Sequence, residues 1–147
     1  MKAEQIILVL SVIGMLLSGY LTYVHYVPEQ LDSSFCNISD FLSCSTVNKS
    51  SYATLLGVPV ALIGVIGFVL LGFLALGRVK YHEPALFYSS LFGLGFMVYL
   101  TSAELLVIKA VCILCVGAAL IIAVIFSISA LMFGQESIQF VKEIEFE

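Results

Sequence analysis

The residues of this sequence with the most evident chemistry are its four cysteines, which form two pairs. Cys36 and Cys44 lie in a polar stretch with seven residues between them, and Cys112 and Cys115 form a Cys-Ile-Leu-Cys motif. Residues i and i+3 share one face of a helix, so the second pair can close a disulfide. A thiolate attacks a disulfide through a mixed disulfide, so the two pairs together can exchange electrons.

Each pair also has a purely structural explanation. Cys36 and Cys44 could form a plain disulfide that staples a loop, and Cys112 and Cys115 could pack as small apolar residues in a helix. A zinc site built from all four thiolates is a third possibility. Half of such a site would lie within the hydrocarbon, and no histidine pair supports it, so we expect no metal.

The composition predicts that this chain lies in a membrane. Apolar residues make up 61% and charged residues 11% of the chain, against about 45–50% and 25% in soluble proteins. No basic surface suggests a nucleic-acid partner. Four runs carry no Asp, Glu, Lys or Arg, and each reaches the roughly 20 residues that cross a bilayer: 5–28, 50–77, 84–103 and 110–135.

We predict a single domain over residues 1–147. Because membrane spans must satisfy their own backbone hydrogen bonds, the four runs are expected to be helices. The predicted fold is therefore an all-α integral membrane bundle of four transmembrane helices. The first run could pass for a signal peptide, but no small-x-small cleavage site follows it, so we expect an uncleaved helix. The expected spans are 5–27, 57–77, 84–104 and 110–133. They are joined by a loop over 28–56 and another over 78–83, and a frayed or surface-lying tail follows over 134–147.

The basic residues indicate how the bundle is oriented. Four spans place both termini on one side, together with four of the six Lys and Arg residues, and the positive-inside rule makes that side cytoplasmic. We therefore expect a multi-pass protein of the cell (inner) membrane whose 28–56 loop faces outward. All four thiols then lie at the extracytoplasmic, oxidising face, where disulfides persist.

The position of each helix thiol suggests a role for it. Cys112 is nearer water at a helix N-terminus, where backbone N–H groups and the helix dipole favour a thiolate, so it suits exchange with the loop pair. Cys115 is about one turn deeper and suits a lipid-soluble oxidant or reductant. The loop bearing Cys36 and Cys44 could carry electrons between an outside protein and the helix pair.

Over most of its length the sequence resembles the vitamin K epoxide reductase (VKOR) family, in its short prokaryotic form without a fused thioredoxin-like domain. Another four-helix quinone-linked oxidase family carries its cysteine pairs in the reverse order. The resemblance is carried by Cys36-x7-Cys44-Ser45-x-Val47-x-x-Ser50-x-Tyr52, Gly57-x-Pro59 with Gly64, and Tyr99-Leu100 thirteen residues before Cys112-x-x-Cys115.

This resemblance implies a four-helix bundle that holds a quinone near Cys115, of ubiquinone, menaquinone or vitamin K type, under an extracytoplasmic loop and short horizontal helix bearing Cys44. It also implies a relay. A thioredoxin-like protein, here expected to be a separate chain on the outer side, delivers two electrons to Cys36–Cys44. Cys44 then exchanges with Cys112, and Cys115 passes the electrons to the membrane quinone pool.

The quinone contacts are less well defined by the sequence. Vertebrate members of the family have a quinone-contacting tyrosine four residues after the second helix cysteine, where this chain has Ala119. Val47, Ser50 and Tyr52 on the expected lid are the remaining candidates, although Ser50 could equally cap a short helix and Tyr52 could equally lie at the interface. Three other residues could in principle donate a proton to the quinone. The sequence instead favours a position at the membrane interface for His25, and positions at helix ends for Glu104 and Lys109.

The expected function is that of a thiol–quinone oxidoreductase that supports disulfide formation in exported proteins. One alternative is a quinone or quinone-epoxide reductase with the same electron flow, whose main product is reduced quinone. Another is a non-enzymatic membrane protein with a structural loop disulfide.

Overall fold

A computed structural model describes residues 2–27, 37–39, 41–78 and 80–145. Most of the described chain is helical, which confirms the expected all-α membrane class. Five α-helices occur in this part of the chain: α1 (Ala3–Tyr26), α2 (Cys44–Asn48), α3 (Val60–Ala75), α4 (His82–Ala103) and α5 (Ile113–Glu145). Three short elements complete it, namely a 3-10 turn (Ser51–Ala53), a π-helical turn (Glu104–Ile108) and a hairpin of β1 (Thr54–Leu55) and β2 (Val58–Pro59).

Three segments of the described chain are long and apolar enough to cross a membrane: Ala3–Tyr26, His82–Ile108 and Ile113–Ile144. Helix α3 is apolar but has 16 residues, which at about 1.5 Å per residue span roughly 24 Å, short of a hydrocarbon core about 30 Å thick. Membrane character is thus confirmed, whereas the count of four spans remains a prediction.

The short α3 corrects the predicted span over 57–77. Leu56 and Gly57 adopt positive φ angles of 53° and 83°, which turn the chain between β1 and β2. Because that hairpin includes Pro59, the helix begins only at Val60. Gly77, with φ of 64°, follows the other end of the helix, where a left-handed glycine is the usual terminator.

Two other predicted boundaries also differ from the structure. Helix α4 does not end at Glu104 but continues through the π-helical turn to Ile108. The tail over 134–147, predicted as a frayed or surface-lying end, is helical as far as Glu145. Gly134 does not end α5, because the polar residues after it include good helix formers and no proline.

Small residues bring the helices close together. A methyl group at Gly14 of α1 would collide with the Phe68 ring of α3, and one at Gly64 would meet the Ser18 hydroxyl at 3.0 Å. Between α4 and α5 the hydroxyls of Ser90 and Ser129 are 2.8 Å apart. Such contacts suit membrane helices, which associate through close packing and interhelical hydrogen bonds.

Two buried clusters form the core. The larger one joins α1, α3, α4 and α5 and includes Ile7, Leu71, Leu86 and Ile125. The second lies at the end of the bundle where α5 begins, and we call this end the cysteine end. Its buried members are Leu21, Val24, Cys44, Val47, Ala110 and Cys112.

Candidate thiol-exchange site

A short strand contact attaches the segment that carries Cys44 to the start of α5. Leu42 and Val111 form an isolated parallel bridge, and the Val111 N–H donates to the Phe41 carbonyl at 2.7 Å. Cys44 lies two residues after Leu42, and Cys112 follows Val111 directly. The bridge therefore sets the register that brings the two cysteines together.

Helix α2 is held in place at both of its ends. At its N-terminus the Ser43 hydroxyl accepts a hydrogen bond from the Thr46 N–H at 3.2 Å, as an N-cap residue does. At its C-terminus the Asn48 amide donates to the Leu21 carbonyl of α1 at 3.2 Å. The Asn48 side-chain oxygen is also hydrogen-bonded to His25 Nδ1 at 3.1 Å. We call this pair of contacts the Asn48 clamp, and no feature of the sequence alone indicated it.

The central feature of the site is the approach of two sulfur atoms. Cys112 Sγ lies 3.2 Å from Cys44 Sγ, and the two residues are 1% and 0% exposed. Cys44 is disulfide-bonded, whereas Cys112 and Cys115 are free thiols. A free thiol in contact with a disulfide sulfur is positioned for thiol–disulfide exchange, which is reversible. Cys36, the other member of the predicted loop pair, lies outside the described residues, so its predicted role stays a prediction.

Cys112 is placed where its thiolate is stabilised. It directly precedes α5, and the Cys115 N–H points at its sulfur from 3.4 Å. The pKa of the Cys112 thiol is lowered, first because the Cys115 side chain hydrogen-bonds to its sulfur and then because of backbone N–H groups, while burial opposes the shift. Since a thiol of low pKa is also a good leaving group, this position suits Cys112 to be released from a mixed disulfide with Cys44.

Glu104 lies beside the cysteines and is not the simple helix end that the sequence suggested. It is 4% exposed, and its carboxylate accepts a hydrogen bond from the Cys112 N–H at 3.3 Å. The π-helical turn that it begins carries the chain from α4 to Lys109, which has a left-handed φ of 56°. π-Helical turns are frequent at functional sites. An acid only eight residues before a membrane CxxC motif was the sequence signal for it.

An open cavity adjoins the cysteines. The structure brings three of the tentative quinone residues, Val47, Ser50 and Tyr52, to its wall, but Ala119 is not among the lining residues. Three cysteines and an acid also line it: Cys44, Cys112, Cys115 and Glu104. The other lining residues are Leu21, Asn48, Ala53, Val60, Ala61, Leu100 and Ile108.

The wall of the cavity is mostly apolar, and the polar groups on it are not equivalent. The Ser50 hydroxyl already donates to the Val47 carbonyl at 2.6 Å. Ser50 precedes the 3-10 turn but makes no side-chain hydrogen bond that caps it, so the capping role considered for it is not observed. Tyr52 is 40% exposed and is the better candidate donor. No group of three or more metal-binding side chains occurs among the described residues, and the expected absence of a metal stays a prediction.

The fold and the site define an all-α membrane protein in which a buried free thiol contacts a disulfide at one end of the helix bundle. The sequence model of the Vitamin K epoxide reductase family matches residues 5–130 of this chain. The protein therefore belongs to the VKOR family, as the cysteine spacing indicated. Membership implies an oxidoreductase of a family that is generally associated with quinones.

Proposed function

We propose that this protein is a membrane thiol–quinone oxidoreductase that supports disulfide formation in exported proteins. Two electrons pass from a separate thioredoxin-like protein to the Cys36/Cys44 pair, then to Cys112/Cys115, and finally to a quinone of the membrane pool. The observation that carries the proposal is the contact of 3.2 Å between the Cys112 thiol sulfur and the Cys44 disulfide sulfur.

Electron transfer between the two cysteine pairs needs no oxidant other than the Cys112–Cys115 disulfide. The partner's two thiols reduce the Cys36–Cys44 disulfide. The Cys44 thiolate then attacks Cys112 in a Cys112–Cys115 disulfide, and Cys115 leaves as a thiolate. Cys36 attacks Cys44 in the mixed disulfide, which restores the loop disulfide and releases Cys112. The outcome of this sequence, an oxidised Cys44 with Cys112 and Cys115 as free thiols, is the redox state of the described site.

The second half of the cycle takes place at the cavity. Closure of the Cys112–Cys115 disulfide releases two electrons and two protons, which is the uptake that a quinone acceptor requires. Val47 and the other apolar lining residues would hold the ring against Cys115, and Tyr52 would donate a hydrogen bond to it. We propose that this cysteine end faces the extracytoplasmic side of the cell membrane, where a thioredoxin-like protein can reach it.

The test mixes purified protein with a reduced thioredoxin-like protein and a ubiquinone, a menaquinone or a vitamin K type quinone, and follows the quinone absorbance. We expect turnover with at least one quinone and its loss in Cys112→Ala and in Cys115→Ala. Ser127→Ala is the matched control, because Ser127 is exposed on the same helix and bonds only to a carbonyl of that helix.

Turnover that needs the helix thiols would exclude a purely structural role for the cysteines. Absence of turnover with every quinone tested would overturn the proposal. If the protein consumes quinone epoxide faster than quinone in the same assay, the alternative with reduced quinone as the product replaces the disulfide-forming role.

A further inference from the structure

Glu104 is a buried acid at the cysteine end whose presence the exchange steps do not explain. An ionisable group at membrane depth is costly and usually marks a functional site. Glu104 is 4% exposed and lines the same cavity as the helix thiols. The inference drawn from it rests on the proposed function, since it concerns the proton that Cys115 must lose.

The carboxylate lies against the start of the CxxC motif. It accepts a hydrogen bond from the Cys112 N–H at 3.3 Å, which fixes its orientation against the start of α5. Cys115, whose N–H points at the Cys112 sulfur from 3.4 Å, lines the same cavity as the carboxylate. The Glu104 carboxylate and the Cys112 sulfur are therefore two acceptors in this cluster for the single proton of the Cys115 thiol.

The other groups around the carboxylate are few among the described residues. Cys112 and Tyr52 are the other titratable side chains that line the cavity, while Cys44 is held in its disulfide. Lys109, at the far end of the π-helical turn, is exposed. The walls contributed by α1 and α3 are apolar: Leu21, Val60 and Ala61.

We propose that Glu104 is the proton acceptor for Cys115, and that the two side chains share one proton. In the transfer the S–H bond of Cys115 breaks and an O–H bond forms on Glu104, while sulfur keeps the electron pair. The pair carries one negative charge before and after the step. No additional charge is created in an apolar site, where an unpaired charge is expensive, and the proton is retained beside the cavity.

This sharing has a signature in the pH dependence of the thiol. If one proton is shared, its distribution between sulfur and carboxylate does not change over the pH range in which the pair holds one proton. The reactivity of Cys115 towards an alkylating reagent is then flat with pH. Without the carboxylate, the thiolate fraction of an isolated thiol rises about tenfold per pH unit below its pKa.

The experiment uses the Cys112→Ser variant, in which Cys115 stays a free thiol while Cys44 stays in its disulfide. A serine hydroxyl does not ionise over the range used. Alkylation of Cys115 by iodoacetamide is measured by mass spectrometry from about pH 5 to about pH 8. We expect a flat profile with Glu104 present and a slope of about tenfold per pH unit after Glu104→Gln.

The glutamine variant separates proton transfer from a purely structural role. Glutamine keeps an oxygen that can accept the Cys112 backbone N–H, so a residue that only fixes the start of α5 would leave the two profiles parallel. Parallel profiles would overturn the proposal. Glu143→Gln is the control, because Glu143 is exposed near the opposite end of α5, and it should leave the flat profile unchanged.

If Glu104→Gln does not yield folded protein, the profile of the Cys112→Ser protein with Glu104 intact decides alone. A rise of about tenfold per pH unit in that protein would overturn the proposal. No quinone or partner is present in this assay, so its failure is distinct from failure of the proposed function. A flat profile in a protein without quinone turnover would keep the proton pair and reject the oxidoreductase.

Discussion

Helix α2 covers Cys112 as a lid, and removal of the Asn48 clamp should open this lid. Asn48 is 9% exposed and ties α2 to α1 through its bonds to the Leu21 carbonyl and to His25. In Asn48→Ala both bonds are lost. Because Cys44 lies on the same short helix, the loss weakens the contact of α2 with Cys112 without changing any sulfur atom.

The size of the effect follows from the two hydrogen bonds. A typical intramolecular hydrogen bond contributes about 1 kcal/mol net, so the loss of both bonds should destabilise the docked position of the lid by about 2 kcal/mol relative to the open one. At about 1.4 kcal/mol per tenfold change in an equilibrium constant, the open population should rise roughly 30-fold. Cys112 is 1% exposed under the lid, so a reagent reaches it only from the open state.

The assay is therefore the rate of Cys112 alkylation at limiting iodoacetamide, followed by peptide mapping. When the lid recloses faster than the reagent reacts, this rate is proportional to the open population. Asn48→Ala should react roughly 30-fold faster than the unsubstituted protein. Ser102→Ala, which removes an exposed hydroxyl bonded to its own helix, should react at the original rate. A rate within about twofold of the original in Asn48→Ala would refute the reasoning.

Three further predictions concern packing, ionisation and topology. Gly14→Ala should lower the thermal midpoint and reduce the free energy of unfolding by about 1–3 kcal/mol, because the added methyl group collides with the Phe68 ring. Gly95→Ala should not, because an added methyl group there has no neighbour within 4 Å. In a pH series, the rate of Cys112 alkylation should rise with pH and level off at a pKa below that of an ordinary thiol, because a lowered pKa supplies thiolate from a lower pH. Cys115→Ala should shift this rise to higher pH. An unshifted rise would contradict the Cys115 hydrogen bond as the cause of the lowered pKa. A phosphatase reporter that works only outside the cytoplasm should be inactive when fused to the C-terminus, and an active fusion would reverse the proposed orientation.

The sequence predicted the class of fold well because that class depends on composition. Long runs without charge in a chain that is 61% apolar must face lipid wherever they pack. The helix ends were predicted less well, because a boundary depends on local geometry. The left-handed residues Leu56 and Gly57 shorten α3, and Gly134 fails to end α5 because the polar segment after it continues the helix.

The site was predicted in part for a similar reason. The spacing of the cysteines, and the resemblance that includes it, identified the helix pair and placed Val47, Ser50 and Tyr52 on a lid. The Asn48 clamp could not be foreseen, because an asparagine in a polar loop gives no sign of a hydrogen bond to a helix 27 residues earlier. Glu104 was interpreted as a helix end, because its burial depends on a π-helical turn that its own residue type does not specify.

By itself, the sequence determined that this protein lies in a membrane and that two cysteine pairs are available for exchange, since hydrophobicity and thiol chemistry belong to the residues themselves. Only the tertiary structure decided which sulfur atoms meet. Cys44 and Cys112 are 68 residues apart in the chain, and their contact depends on the Leu42–Val111 bridge, the Asn48 clamp and the packing of the membrane helices together. The same packing buries Glu104, and burial next to a thiol is what makes this carboxylate a candidate for proton transfer.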